Sequence, residues 1–111
     1  MYLNLDSLLL SQPRLSIMCF LQTSREADFL LIREKTNISA GNLSIQLNKL
    51  KKAGYLEIVK KFKGNYPHTI CRITSIGDKS VEDFFSALAT YRTTHFTEIT
   101  KELNENVVAL S

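Results

Sequence analysis

Residues 39 to 54, Ser39-Ala40-Gly41-Asn42-Leu43-Ser44-Ile45-Gln46-Leu47-Asn48-Lys49-Leu50-Lys51-Lys52-Ala53-Gly54, hold the side chains best suited to recognition chemistry. As a helix they place Leu43, Leu47 and Leu50 on one face, at steps of four and three. Ser39 is a natural N-cap, and Gly54 suits the position just past the end, where a left-handed backbone is needed. The opposite face carries Gly41, Asn42, Ile45, Asn48, Lys49 and Lys52, and the segment contains no acid. Amides can read base edges, ammonium groups can meet phosphates, and an isoleucine can touch a thymine methyl. The plainer reading is an amphipathic helix with a basic solvated face, and the helix alone does not separate the two.

The next segment tips the balance. Tyr55-Leu56-Glu57-Ile58-Val59-Lys60-Lys61-Phe62-Lys63 is rich in β-branched and aromatic residues and lacks a helical stripe. Gly64-Asn65-Tyr66-Pro67 is a turn signal, after which His68-Thr69-Ile70-Cys71-Arg72-Ile73 resumes an extended pattern. The result is a β-hairpin bearing Lys60, Lys61, Lys63, Asn65, Tyr66 and Arg72. A basic hairpin directly after a groove-type helix is the order of a winged helix-turn-helix, in which the wing lies along the backbone or minor groove.

Charge distribution agrees. The whole chain of 111 residues has a net charge of +3. Residues 33 to 72 alone hold Arg33, Lys35, Lys49, Lys51, Lys52, Lys60, Lys61, Lys63 and Arg72 against Glu34 and Glu57, a local +7. The segment before carries −1 and the segment after −3. Positive charge gathered on one unit is the footprint of a nucleic-acid face with a separate non-binding side.

The elements that must position this unit follow. A first helix is expected from about Pro13 to Gln22, with proline in its first turn. A second covers about Arg25 to Lys35, with Glu26 and Asp28 in its first turn, and Thr36-Asn37-Ile38 turns into the third. After Thr74-Ser75-Ile76-Gly77 a long helix runs from about Asp78 to Asn104 or beyond, its threonines leaving room for a break near residues 92 to 96. The fold class is mainly α with a small β-hairpin. Residues 1–77 would form the winged region (recognition helix about 39–53, wing about 56–73), and 78–111 a helical dimerisation segment of the same domain. The length suits one domain, no apolar run approaches a membrane span, and the start lacks a secretory signal, so a cytoplasmic location is expected.

In this order of elements the chain resembles winged-helix transcriptional regulators of the MarR and ArsR group, nearest a short single-domain subgroup. The resemblance spans roughly residues 5 to 92. It rests on Pro13-Arg14-Leu15, Ala27-Asp28-Phe29, Gly41-Asn42-Leu43-Ser44 with Leu47 and Leu50, Ala53-Gly54-Tyr55, Lys60, Thr69, and Ile73-Thr74 followed by Gly77. Ile45 departs from it, standing where relatives often carry a polar or basic residue. The resemblance implies a homodimer on a pseudo-palindromic operator in double-stranded DNA, with room for a small-molecule effector. Ser39, Gly41, Asn42, Ser44, Ile45, Asn48 and Lys49 are the expected groove contacts. Lys60, Lys61, Lys63, Asn65 and Arg72 are the expected wing and backbone contacts. Leu5, Leu8, Leu9, Phe84, Phe85, Leu88, Tyr91, Ile99 and Leu103 are expected at the dimer interface.

Other chemistries have weaker support. There is no glycine-rich phosphate loop, metalloprotease helix or nucleophile signature, so no catalytic residue, cofactor or resident metal is expected. Cys19, Cys71, His68 and His95 could in principle serve a metal- or redox-responsive sensor, but they lack the usual close cysteine pair and both cysteines fall among apolar residues. A winged-helix module that docks an acidic protein through the same helix is the other alternative.

Overall fold

Local capping chemistry sets the helix boundaries. The structure is a computed structural model that describes residues 4–110, with the side chains at 94–100 and 105–110 excepted. Helix α1 (Gln12–Ser24) starts at Ser11, whose hydroxyl accepts from the Arg14 N–H, with Pro13 in its first turn. Helix α2 (Phe29–Thr36) is capped by Asp28, whose carboxylate accepts from the Leu31 N–H at 2.7 Å, and ends at Asn37 with φ 58°. Helix α3 (Ala40–Lys52) starts at Ser39 as expected. It closes through paired bonds, Gly54 N–H to Lys51 O at 2.9 Å and Tyr55 N–H to Leu50 O at 3.0 Å. That Schellman closure requires Gly54 at φ +79°.

The second helix is shorter than expected. Arg25, at φ 70°, breaks the chain after α1, and Glu26–Asp28 form strand β1 rather than a helical first turn. Strand β1 pairs antiparallel with β3 (Tyr66–Ile73), which pairs in turn with β2 (Leu56–Lys63), giving the order β1-β3-β2. Ala27 is buried opposite Cys71, and Arg72 stands opposite both Glu26 and Glu57. A three-residue strand has no periodicity to announce it; pairing with a distant strand creates it.

Helix α4 runs unbroken from Ser75 to Leu110 through the threonine-rich stretch. It begins three residues earlier than expected, because the Thr74 hydroxyl accepts from the Gly77 N–H at 3.0 Å and makes Thr74 the cap. Asp78 in its first turn accepts hydrogen bonds from Arg25 and Gln22, which hold its carboxyl below the usual range and fasten α4 to the end of α1.

One core joins these elements: Leu9, Ile17, Met18, Leu21, Ala27, Ile32, Leu43, Leu47, Leu50, Leu56, Cys71, Val81 and Phe84. The leucine-rich start of the chain is part of it. Leu9 is fully buried, Leu5 and Leu8 pack partly against the cluster, and the Asp6 carboxylate accepts from the Tyr55 hydroxyl. Leu9 and Phe84 were expected at a dimer seam; both instead fill the chain's own core, at 0% and 4% exposure. Burying a leucine side chain is worth about 1.5–3 kcal/mol, and the monomer already gains it there.

Candidate nucleic-acid interface

The leucine stripe decides which side of α3 looks out. With Leu43, Leu47 and Leu50 buried, Gly41, Asn42, Ser44, Ile45, Asn48, Lys49, Lys51 and Lys52 are all exposed. Ile45 keeps 56% of its surface in solvent. The Ser39 hydroxyl is engaged in capping, accepting from the Asn42 N–H at 3.4 Å. The expected groove residues therefore share one exposed, acid-free surface.

The hairpin follows α3 after only Ala53, Gly54 and Tyr55, and its root is clamped. Thr74 donates its hydroxyl to Gly54 O at 2.6 Å and its N–H to Tyr55 O at 3.1 Å, while the Ile73 N–H meets Arg25 O at 3.0 Å. The wing is thus hydrogen-bonded to the end of the helix it must work beside. At its tip, Gly64 (φ +67°) and Asn65 make a two-residue turn between Lys63 and Tyr66. A glycine at the first turn position is what one of the tight hairpin turns requires.

Strand alternation separates the lysines. Lys60 and Phe62 stand on the face that packs the core at Leu56 and Ile58, but lie beyond the core's edge. Lys61 and Lys63 stand on the opposite face, across from His68 and Tyr66. All three lysines and Asn65 are exposed, as are Phe62 and Tyr66, at 74% and 75%. The tip thus offers cations and one exposed aromatic ring on each face.

Arg72 does not belong with this group. It lies at the root of the hairpin, and both its Nε and Nη2 meet Glu26 Oε2 at 2.9 Å. Its charge is balanced within the sheet, so of the five expected wing contacts four remain at the tip. The pairing arises because β1 brings Glu26 alongside, and nothing in the local sequence signals it.

Two residues that local patterning did not single out reach this surface from behind. Arg14 donates Nε–H to Leu8 O at 2.6 Å and Nη1–H to Gln46 Oε1 at 2.7 Å. Gln46 then donates Nε2–H to Asn42 Oδ1 at 2.9 Å. The four-residue spacing of Asn42 and Gln46 is a usable helical signal for that second bond. No local signal could have found Arg14, which sits 32 residues from Gln46.

The sensor chemistry has little support in the geometry. Burial pushes the Cys71 thiol up to about 11 and raises that of Cys19 as well, so neither is poised to form a reactive thiolate. His68 Nδ1 lies 4.0 Å from Asp28 Oδ2 on the outer face of the sheet, while Cys71 points to the core. Among the described residues no three His, Cys, Asp or Glu side chains gather to hold a metal ion. His95 lies outside the described side chains.

On the remaining dimer candidates, Phe85 and Leu88 are each 43% exposed and Leu103 is 58% exposed, all on α4. Tyr91 is half-buried, and Ile99 lies outside the described side chains.

Comparison with known proteins agrees with this geometry. The family model described as a winged helix DNA-binding domain matches residues 14–92. The chain is similar to the transcriptional regulator homologue protein from Pyrococcus horikoshii OT3, at 29% identity over 77% of this chain and 84% of that one, with a TM-score of 0.73. It shares its fold with reduced AbfR bound to DNA, at 18% identity over 87% and 70% of the two chains and a TM-score of 0.64. It also shares it with Bordetella bronchiseptica BpsR, described for regulation of its DNA binding by 6-hydroxynicotinic acid, at 15% identity over 92% and 82% and a TM-score of 0.64. Among curated proteins no sequence match is found.

Proposed function

The chain belongs to the winged helix DNA-binding domain family, and from that premise we propose that it is a homodimeric, sequence-specific regulator of transcription. It binds a pseudo-palindromic operator in double-stranded DNA and catalyses no reaction. The observation that carries this reading is the exposed, acid-free face of α3 clamped beside a lysine-bearing wing. Asn42, Ser44, Ile45, Asn48 and Lys49 face base edges in the major groove; Lys60, Lys61, Lys63 and Asn65 hold the flanking phosphates or minor groove. No described helix is long and apolar enough to cross a membrane, which is compatible with work in the cytoplasm. A small-molecule effector is compatible with the reading and is assigned no site by it.

Binding to a duplex selected from a random library tests the reading directly. Asn42→Ala and Asn48→Ala are each expected to cost about 1–3 kcal/mol on the selected site and much less on random DNA. Equal losses on both would make these amides phosphate contacts, and no duplex binding at low salt would refute the function.

The homodimer is supported by what α4 leaves uncovered. Its 36 residues extend about 54 Å at 1.5 Å per residue, well past the core that Val81 and Phe84 enter. Phe85, Leu88 and Leu103 stay exposed along it. In this reading residues 1–77 form the DNA-binding part and 78–111 the dimerisation segment of one domain. A two-fold partner laid on α4 covers these side chains and sets two α3 helices about one DNA turn apart. Sedimentation at micromolar concentration is expected to give a species of twice the 12.6 kDa chain mass. A single monomeric species would overturn the dimer while leaving the DNA-reading face intact.

A further inference from the structure

Arginine has only donors, and that simple fact propagates to the DNA-facing surface. Because Arg14 Nη1 donates to Gln46, the Gln46 amide must turn its oxygen inward. Its NH₂ group then points the other way and donates to Asn42, which must in turn offer Oδ1. With its oxygen held toward Gln46, which takes one of that oxygen's two lone pairs, the Asn42 amide is turned so that its NH₂ group, a donor, leads to the exterior. Either amide alone could flip; the chain of bonds beginning at Arg14 removes that freedom. Arg14 is itself held by Leu8 O through Nε at 2.6 Å and rooted in the first turn of α1. Asn42 is the third residue of α3, and the first turns of such helices are where base edges are met.

We infer that Arg14 and Gln46 are positioning residues that fix the polarity of the Asn42 amide, so that α3 selects guanine at the base it meets there. This rests on the proposal that α3 reads DNA. Guanine offers N7 and O6 to the major groove, both acceptors, whereas adenine pairs its N7 acceptor with an N6 donor. An amide free to turn reads adenine by giving one hydrogen bond and accepting another. An amide whose oxygen is held back toward Gln46 cannot turn to aim that oxygen at the base, and its outward NH₂ group suits a base that only accepts. Arg14 and Gln46 touch no base; they act through Asn42.

Selection from a randomised duplex library, followed by affinity measurement on single-base variants, tests this. The contacted position is identified as the one where Asn42→Ala abolishes preference. The wild-type protein is expected to favour guanine over adenine there by about ten-fold or more. Arg14→Met lets both amides turn, and that preference is expected to collapse while preferences elsewhere in the half-site persist. Gln46→Glu gives the sharper result. A carboxylate still accepts from Arg14 but has no proton to donate, so the Asn42 NH₂ turns toward it and Oδ1 faces the groove. Preference is then expected to move to a base that carries a donor, adenine or cytosine.

Thermal unfolding of Gln46→Glu, a change at a half-buried position, checks that the protein folds. Wild-type preference for adenine at that position, or an unchanged guanine preference in Gln46→Glu, would overturn the inference with DNA reading intact. Failure of the wild-type chain to bind any duplex would instead overturn the proposed function.

Discussion

Replacing Gly77 with alanine is expected to destabilise the fold by about 3 kcal/mol or more, although alanine is the better helix former. A Cβ built at Gly77 falls 2.0 Å from Tyr55 O, 2.8 Å from Tyr55 C and 3.0 Å from Met18 Cε. The first two atoms are backbone, and Tyr55 O also accepts from the Thr74 N–H. The clash therefore cannot be relieved by turning a side chain; α4 must lift from the root of the wing. Overpacking typically costs about 1–3 kcal/mol, and a rigid backbone neighbour puts this case at or above the upper end. Helix propensity acts the other way by about 1 kcal/mol and is outweighed.

Gly41 is the internal control. It also lies in a helix, but a Cβ there meets nothing within 4 Å. Gly41→Ala is expected to raise stability by about 0.5–1 kcal/mol. Urea or thermal unfolding compares the two, and the loss at Gly77 corresponds to a fall in Tm on the order of 10–20 °C. A Gly77→Ala protein as stable as the parent would show that the contact between α4 and the wing root yields at little cost.

The second large effect belongs to the wing. Lys61 and Lys63 share one face of β2 and are exposed, with no acid among their cross-strand partners His68 and Tyr66. In the proposed homodimer the double substitution Lys61→Ala with Lys63→Ala is expected to remove as many as four phosphate contacts. Each contact contributes about 0.9 to the slope of log affinity against log salt. The slope is therefore expected to become shallower by about 3–4, with affinity near 0.1 M salt falling on the order of 10³-fold. Phosphates carry no sequence information, so the selected base preferences should persist. Titrations at several salt concentrations measure both quantities. An unchanged slope would mean that these lysines do not touch the backbone. By contrast, Arg72→Ala is expected to leave the slope alone, since Glu26 already neutralises that side chain.

How much of this was legible in the residues follows the range of the forces involved. Helix α3 was readable in full because its boundaries are local: a serine cap, a leucine stripe, and a glycine at φ +79° closing the last turn. The hairpin was readable because Gly64 makes a turn its neighbours cannot, and because Leu56–Lys63 and Tyr66–Ile73 are strand-forming in composition. The basic, acid-free character of the outer face is a property of composition and needed no coordinates. The winged-helix fold and the bounds of its third helix were thus determined by the sequence itself, through interactions that span a few residues.

Tertiary structure decided what depends on the chain's return. Residues 26 to 28 carry no strand signal, yet they become β1 because β3 offers them an edge and Ala27 a buried place opposite Cys71. That same edge removes Arg72 from the wing's cations by pairing it with Glu26, 46 residues away. Leu9 and Phe84 look like seam residues in isolation and become core once the start of the chain and α4 close over α1. Gly77 looks like a poor helix residue until the Tyr55 carbonyl arrives beside it. The polarity of Asn42, the property on which the proposed base choice turns, is set by an arginine on another helix. Capping, turn geometry and hydrophobic period are written within a few residues of where they act; strand edges, ion pairs, close backbone approach and amide orientation exist only after distant segments meet, so only the folded chain could reveal them.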